Sequence, residues 1–493
     1  MDSIPTRISL QSHLGTLRYH GSLPVWPNTI ALGIEWDDET RGKHSGSYNG
    51  VQYFETSVPN SATFVKAGRS FDNKRSFLEA LKGRYAPNEV DELEKADITF
   101  GHKVVERVGF DKFRKLQAQL DKLSLVALDQ QCIAYPSEGL NSFCPRIQDL
   151  DLSRNLFDYL LDVAKITIQL PRLRLLRLNG NRIISWELPE EYGHAFEKIE
   201  VISLSSTLIP LESISRLPKY FPAARECSLA ENYITSAEIN FSVEWQSLES
   251  LDLSYNQFTT IPSITFPDGA TSPIKSLNLS HNSISEIQSK STTHTTTLRA
   301  VDLRHNNLNS WKDVDALASQ FTTVTDARIQ WNPFADGVAD DDLLLAVVAR
   351  WASLTSLNGM KVSQRERMNA EIYFMAKAVK TQIPEFDLDC PRWKQLCDIY
   401  GPPVISEVLK KSTLLTITFV FNGEENRSKQ VPRGLSVQKL RILVAKWYEI
   451  PAAFVELALI DDDGTELKFE DSLRQIEYYG VDEDSTIKIT EKR

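Results

Sequence analysis

One pattern, L-x-x-L-x-L-x-x-N-x-L with substitutions, recurs nine times through the middle of this chain, from LSLVALDQQCI at Leu123–Ile133 to VTDARIQWNPF at Val324–Phe334. Clear copies are IQDLDLSRNLF at Ile147–Phe157, LESLDLSYNQF at Leu248–Phe258 and IKSLNLSHNSI at Ile274–Ile284. The asparagine position falls at 131, 155, 181, 207, 232, 256, 282, 306 and 332, so successive copies are 24 to 26 residues apart. A period of that length and pattern marks a solenoid with one short strand per coil. In Leu150-Asp151-Leu152 the leucines point inward and the residue between them points out. One coil cannot bury its apolar side alone, so the array is stabilised by stacking. The outward residues are Ala127, Asp151, Arg177, Ser203, Ser228, Asp252, Asn278, Asp302 and Arg328, which are expected to line the concave face. Of these, Asp151, Arg177, Asp252, Asn278, Asp302 and Arg328 are the candidate protein contacts. A polar, mixed-charge concave surface suits gripping a protein, not catalysis.

The pattern resembles the leucine-rich repeat. Its asparagine side chain can bond backbone groups in the turn, so a ladder from coil to coil is expected, interrupted at Thr207 and Gln131. His281 and His305 stand just before the asparagine in two neighbouring coils. A turn role is favoured over a metal pair, because two ligands do not make a zinc site.

A length of 493 residues points to several domains, and the net charge is −11. An acidic chain lacks the basic footprint of a nucleic-acid binder and the basic face of a membrane-surface protein. No apolar run approaches the roughly 18 residues that span a bilayer, and MDSIPTRISL lacks the basic-then-apolar order of a secretory signal. Cys132, Cys144, Cys227, Cys390 and Cys397 show no C-x-x-C spacing. This odd, scattered set is expected to be reduced thiols in a cytosolic protein. No G-x-x-x-x-G-K-[ST] and no Ser/His/Asp or Cys/His set is present, so no catalytic residue, resident metal or cofactor is expected.

Residues 1–66 differ in texture. Glycines recur at Gly15, Gly21, Gly33, Gly42, Gly46 and Gly50, interleaved with Tyr19, Trp26, Trp36, Tyr48, Tyr53, Phe54 and Phe64. Short apolar runs between glycines predict a small, strongly curved β domain. The stretch GIEWDDETRGKHSGSYNGVQYF at Gly33–Phe54 resembles the CAP-Gly domain, a small barrel-like module. That resemblance implies binding of acidic, aromatic-ended C-terminal tails of the tubulin type. Lys43 and His44 would donate to the tail carboxylates. Gly42, Ser45 and Gly46 would complete the loop, and Trp36, Tyr48, Phe54 and Phe64 would wall a slot for the ring. This chain departs from the family pattern at Ser45, where an acidic residue or its amide is usual. It departs again at Ala31, where many members carry tryptophan, a role for which Trp26 is the nearest substitute.

Residues 67–122 are charged and helix-prone, and a stripe of Val104, Val105, Val108, Phe110, Phe113, Leu116 and Leu120 is expected to cap the first coil. Residues 123–334 are the nine repeats. Residues 335–403 are a C-terminal cap and linker helices, with helix expected over Asp340–Phe374 and a second, short helix ending at Gly401-Pro402-Pro403. From 413 to 493 the order strand, strand, helix, strand, strand resembles ubiquitin, an α+β β-grasp fold. The chain ends Glu491-Lys492-Arg493 without the diglycine of a conjugated modifier.

A CAP-Gly domain, leucine-rich repeats and a ubiquitin-like domain in this order resemble the tubulin-folding cofactor E family. The resemblance implies a multidomain chaperone, cytoplasmic and cytoskeleton-associated, monomeric on its own, that binds α-tubulin. It implies work with cofactors B, C and D in assembly and dissociation of the α/β-tubulin heterodimer. The alternatives are a microtubule-associated CAP-Gly adaptor, or a ubiquitin-pathway adaptor using the repeats as receptor.

Overall fold

The computed structural model describes residues 5–86, 99–100, 103–104, 120–267, 272–287, 297–380, 386–403, 414–421, 426–461 and 464–492. Contacts divide the chain into two units, Met1–Pro403 and Val404–Arg493.

The first unit opens with a curved antiparallel sheet of four strands, Thr6–Leu10, His13–Leu23, Trp26–Trp36 and Ala62–Lys66, paired in that order. Ile8, Leu10, Leu17, Leu32, Ile34 and Trp36 fill its core. Between the third and fourth strands, Ser47–Tyr48 pairs with Val51–Gln52. The turn is Asn49-Gly50, both at positive φ (48° and 80°), as a two-residue hairpin requires.

The repeats stack as a parallel sheet in unshifted register. Val126, Leu150, Leu176, Ile202, Cys227, Leu251, Leu277, Val301 and Ala327 face one another in turn, all buried. Each fully buried leucine contributes about 2 kcal/mol. The asparagine ladder forms beside them. Asn256 Nδ2 donates to Leu229 O and Leu253 O, each at 3.0 Å, while its Oδ1 accepts from the backbone N–H of Asn232 and Ile234, each at 3.0 Å. The interruption expected at Thr207 and Gln131 is partial. Thr207 Oγ1 reaches Leu204 O at 2.9 Å and Gln131 Nε2 donates to Asp129 O at 3.1 Å, so each keeps a bond within its own coil.

The first coil is capped by a helix, Phe77–Tyr85, that lies upstream of the expected apolar stripe. Ser76 and Glu79 form a reciprocal capping box at its start, and Phe77, Ala80, Leu81 and Tyr85 are buried against the solenoid core. Tyr85 Oη accepts from the backbone N–H of Ala127 at 2.8 Å. Of the expected capping stripe, Val105 to Leu116 lie outside the described residues; Leu120 packs against the same core.

At the other end the single helix expected over Asp340–Phe374 is two helices, Asp340–Arg350 and Gln364–Val379. Between them a hairpin, Ser356–Leu357 with Met360–Lys361, extends the sheet. Its turn is again Asn-Gly, Asn358-Gly359, at φ 53° and 84°, which a helix cannot accommodate. Arg350 is buried there, 2.5 Å from Asp315 and stacked over Trp311, Phe374 and Phe386. The short helix Pro391–Tyr400 follows.

The second unit is a β-grasp. Strands Leu414–Phe421, Arg427–Pro432, Val455–Ile460, Glu466–Lys468 and Thr486–Glu491 form one mixed sheet, and the helix Val437–Tyr448 packs on it. Leu415, Ile417 and Phe419 alternate inward along the first strand and meet Val437, Leu440 and Val444 of the helix.

Candidate functional site

The strongest concentration of binding chemistry lies on the N-terminal barrel. Five rings gather there: His44, Phe54, Phe64, Tyr19 and Tyr53. His44 stacks on Phe64 with centroids 4.8 Å apart, and Phe54, Tyr53 and Tyr19 meet Phe64 edge-on at 5.6, 5.7 and 6.0 Å. Backbone register builds this cluster. A bulge between Leu17 and Tyr19 sets Tyr19 opposite Gly33, which in turn pairs with Phe64 on the next strand. Gly33 is obligatory, since a Cβ there would sit 2.2 Å from the Phe54 ring. Gly46 has φ +87°, and a Cβ would lie 1.9 Å from Phe54 O.

The loop Gly42–Gly46 edges the cluster. Lys43 N–H donates to Ala62 O at 2.8 Å, and its exposed side chain is unpaired among the described residues. His44 Nδ1 accepts from the Gly46 N–H at 3.0 Å. That acceptor role places the imidazole proton on Nε2 as a donor directed elsewhere. Burial holds the His44 pKa below its ordinary value and so favours the neutral ring. Ser45, the departure from the family pattern, serves to close the loop locally, since its Oγ accepts from the Asn60 N–H at 2.8 Å.

Two expected wall residues stand apart from the cluster. Trp36 is buried in the barrel core, with Nε1 donating to Thr63 Oγ1 at 2.8 Å and Arg41 stacked over it. Tyr48 is half-buried on the hairpin and makes none of these ring contacts among the described residues. Tyr19 and Tyr53 take those places. Trp26 lies under the ammonium of Lys66, the residue paired with Ala31 on the next strand.

The barrel is held against the solenoid. Asp158 accepts from Thr6 Oγ1 at 3.1 Å and from the Arg7 N–H at 2.6 Å. Leu14 packs with Ala134 and Leu156. Tyr233 Oη donates to the carboxylate of Glu39, the residue that opens the turn leading into Gly42. Burial, and then that contact, push the tyrosine up to about 12.

The concave row is less available than its composition suggests. Arg177 pairs with Asp149 at 2.6 Å, and Arg328 lies 3.9 Å from Asp302, which also holds Arg304. Asp151, Asp252 and Asn278 each accept from the backbone N–H two residues on, at 2.8, 3.0 and 3.0 Å. Arg328 is the most exposed of the six. Among the described residues no group of three or more His, Cys, Asp or Glu gathers as a metal site would require, and no helix is long and apolar enough to cross a membrane.

Residues 4–70 match the CAP-Gly domain family and residues 247–268 the leucine-rich repeat family. The chain is 29% identical to Protein PAC2 of Saccharomyces cerevisiae, over 80% of this chain and 77% of that protein. It is 27% identical to tubulin-specific chaperone E of Xenopus laevis, over 97% of this chain and 96% of that protein. Among solved structures, the C-terminal ubiquitin-like domain of mouse tubulin-specific chaperone e is 20% identical, with a TM-score of 0.16, covering 18% of this chain and 95% of that one.

Proposed function

We propose that this homologue of the tubulin-specific chaperone E proteins is itself a tubulin-folding chaperone, and that its barrel captures the acidic, aromatic-ended tail of α-tubulin. The observation that carries the proposal is the five-ring cluster edged by the free ammonium of Lys43 and the Nε2–H of His44. An aromatic terminus packs edge-on or offset against such rings. Its carboxylates take charge-assisted bonds from the two donors. The solenoid and the β-grasp unit then hold the folded body. Linking two modest contacts raises the effective concentration of the second, which yields a tight hold without a deep pocket.

Cofactors B, C and D are the partners this role implies, in the cytoplasm, for assembly and dissociation of the α/β heterodimer. Dissociation requires that the bound state favour the separated subunit. No chemical step is asked of this chain.

The test is binding of the full chain to α/β-tubulin with and without the α-tubulin tail, alongside Lys43→Ala. Tail removal and the substitution should each weaken binding, and together by no more than tail removal alone. Equal binding in every case removes the barrel as the handle, and absence of binding overturns the chaperone reading.

A further inference from the structure

The residue just before each ladder asparagine is held at positive φ in every coil, between 51° and 65°. Side chains at this position therefore leave successive coils in the same direction and form a row along one rim. In the early coils the row belongs to the barrel junction. Gln130, Arg154 and Ser206 line a cavity of about 330 Å³ with Leu14, Asp37 and Asp38. In the later coils the row turns aromatic: Tyr255, His281, His305 and Trp331. These four rings stack face to face, with centroids 4.1, 4.1 and 4.5 Å apart and planes within 7°, 20° and 12°. The end members are strongly exposed, Tyr255 at 55% and Trp331 at 59%.

Stacking consumes the ring faces and leaves the edges to solvent. An aromatic edge carries positive partial charge. The edges of tyrosine, tryptophan and histidine also bear O–H or N–H donors. Such a strip suits an acceptor-rich ligand. Its place in the fold points the same way. Glu39, at the head of the tail-binding loop, touches Tyr233, and Tyr233 lies in the coil immediately before that of Tyr255. The aromatic strip therefore begins one coil beyond the barrel junction, past Glu231, the row residue of the intervening coil, which accepts from Ser206 Oγ.

We propose that the Tyr255–His281–His305–Trp331 ladder is a second binding strip for an acidic polypeptide, the glutamate-rich segment that precedes the tail end held at Lys43. The proposal rests on the tail-capture reading for its choice of segment. The ladder itself recognises carboxylates and backbone carbonyls through ring-edge donors.

Two substitutions at one position isolate the charge effect. Glu231 and Arg154 occupy the same repeat position at φ 58° and 51°, so His305→Glu and His305→Arg are both compatible with the coil. Both remove the same ring. The probes are a long glutamate-rich peptide ending Glu-Glu-Tyr and the tripeptide Glu-Glu-Tyr alone, each titrated against the full chain. His305→Glu should weaken the long peptide about tenfold, the equivalent of one charge-assisted hydrogen bond. His305→Arg should hold or strengthen it, and the tripeptide should be indifferent to both. Equal effects of the two variants on the long peptide overturn the proposal, as does failure of the long peptide to bind the native chain. If the tripeptide fails to bind while the long peptide keeps the Glu/Arg difference, the ladder stands and the tail-capture reading falls.

Discussion

Arg182 of the solenoid and Asp37 of the barrel join the two folds: Arg182 Nη2 donates to Asp37 O at 3.1 Å, and its Nε lies 3.7 Å from the Asp37 carboxylate. The same carboxylate accepts from Arg7 Nη1 at 2.7 Å, and the Arg7 side chain is fully buried. One aspartate thus neutralises two arginines, one from each side of the junction.

Asp37→Ala should therefore destabilise the first unit by about 3 kcal/mol, because an uncompensated charge is left buried at Arg7. Urea denaturation of the full chain measures the loss. Arg182→Ala should cost less, since Arg7 keeps its partner.

Gly33→Ala should disable the ring cluster while leaving the solenoid intact. The added methyl meets the Phe54 ring, which is itself closed in by Gly46 and Phe64 and has little room to yield. Overpacking of this kind costs about 1–3 kcal/mol. Titration with a Glu-Glu-Tyr peptide should show the larger effect, with the thermal transition of the repeats unchanged.

Asn256→Ala should cost about 3 kcal/mol or more, because it orphans the buried Leu229 carbonyl and the Ile234 N–H together. Thr207→Asn should act in the opposite sense, gaining about 1 kcal/mol by adding a donor for Leu178 O, as Asn232 does for Leu204 O at 2.9 Å. Paired thermal melts of the two variants check both signs.

The His44 loop should loosen in acid. Its folded pKa lies below the ordinary 6.5 because burial disfavours the charged ring. The native loop therefore favours the neutral ring. That contribution is complete above pH 6.5 and is lost as pH falls through the lowered value. Protonated Nδ1 would oppose the Gly46 N–H, donor against donor. Intrinsic-rate-corrected exchange of the Gly46 amide should speed up on acidification, and His44→Phe should abolish that dependence.

The solenoid was legible because its signal is covalent in scale: each inward leucine recurs at one period, and the buried column from Val126 to Ala327 follows from that spacing alone. The barrel site was legible in part. Phe54, Phe64, Lys43 and His44 lie close in sequence to the glycines that mark the loop, and they come together. Tyr19 was missed because a bulge on a distant strand brings it in. Trp36 was misplaced because strand alternation assigns it to the core side, among Ile34 and Leu32. The Phe77–Tyr85 cap had a readable sign in Ser76 and Glu79, which the more strongly apolar stripe after Val104 overshadowed. The rim ladder is written in the repeats as Tyr-Asn, His-Asn, His-Asn and Trp-Asn, but inward–outward alternation of a strand is silent about a turn residue, whose direction is set by its positive φ.

The rim rings repeat every 4.1 to 4.5 Å, whereas side chains on one side of an extended peptide repeat about every 6.6 Å. The rim rings and the residues of a bound strand therefore drift out of phase within a few coils. No single alignment is better than its neighbours. A strip of this pitch measures the density of negative charge along a chain and is blind to its order, so it tolerates glutamate-rich partners of differing length and sequence.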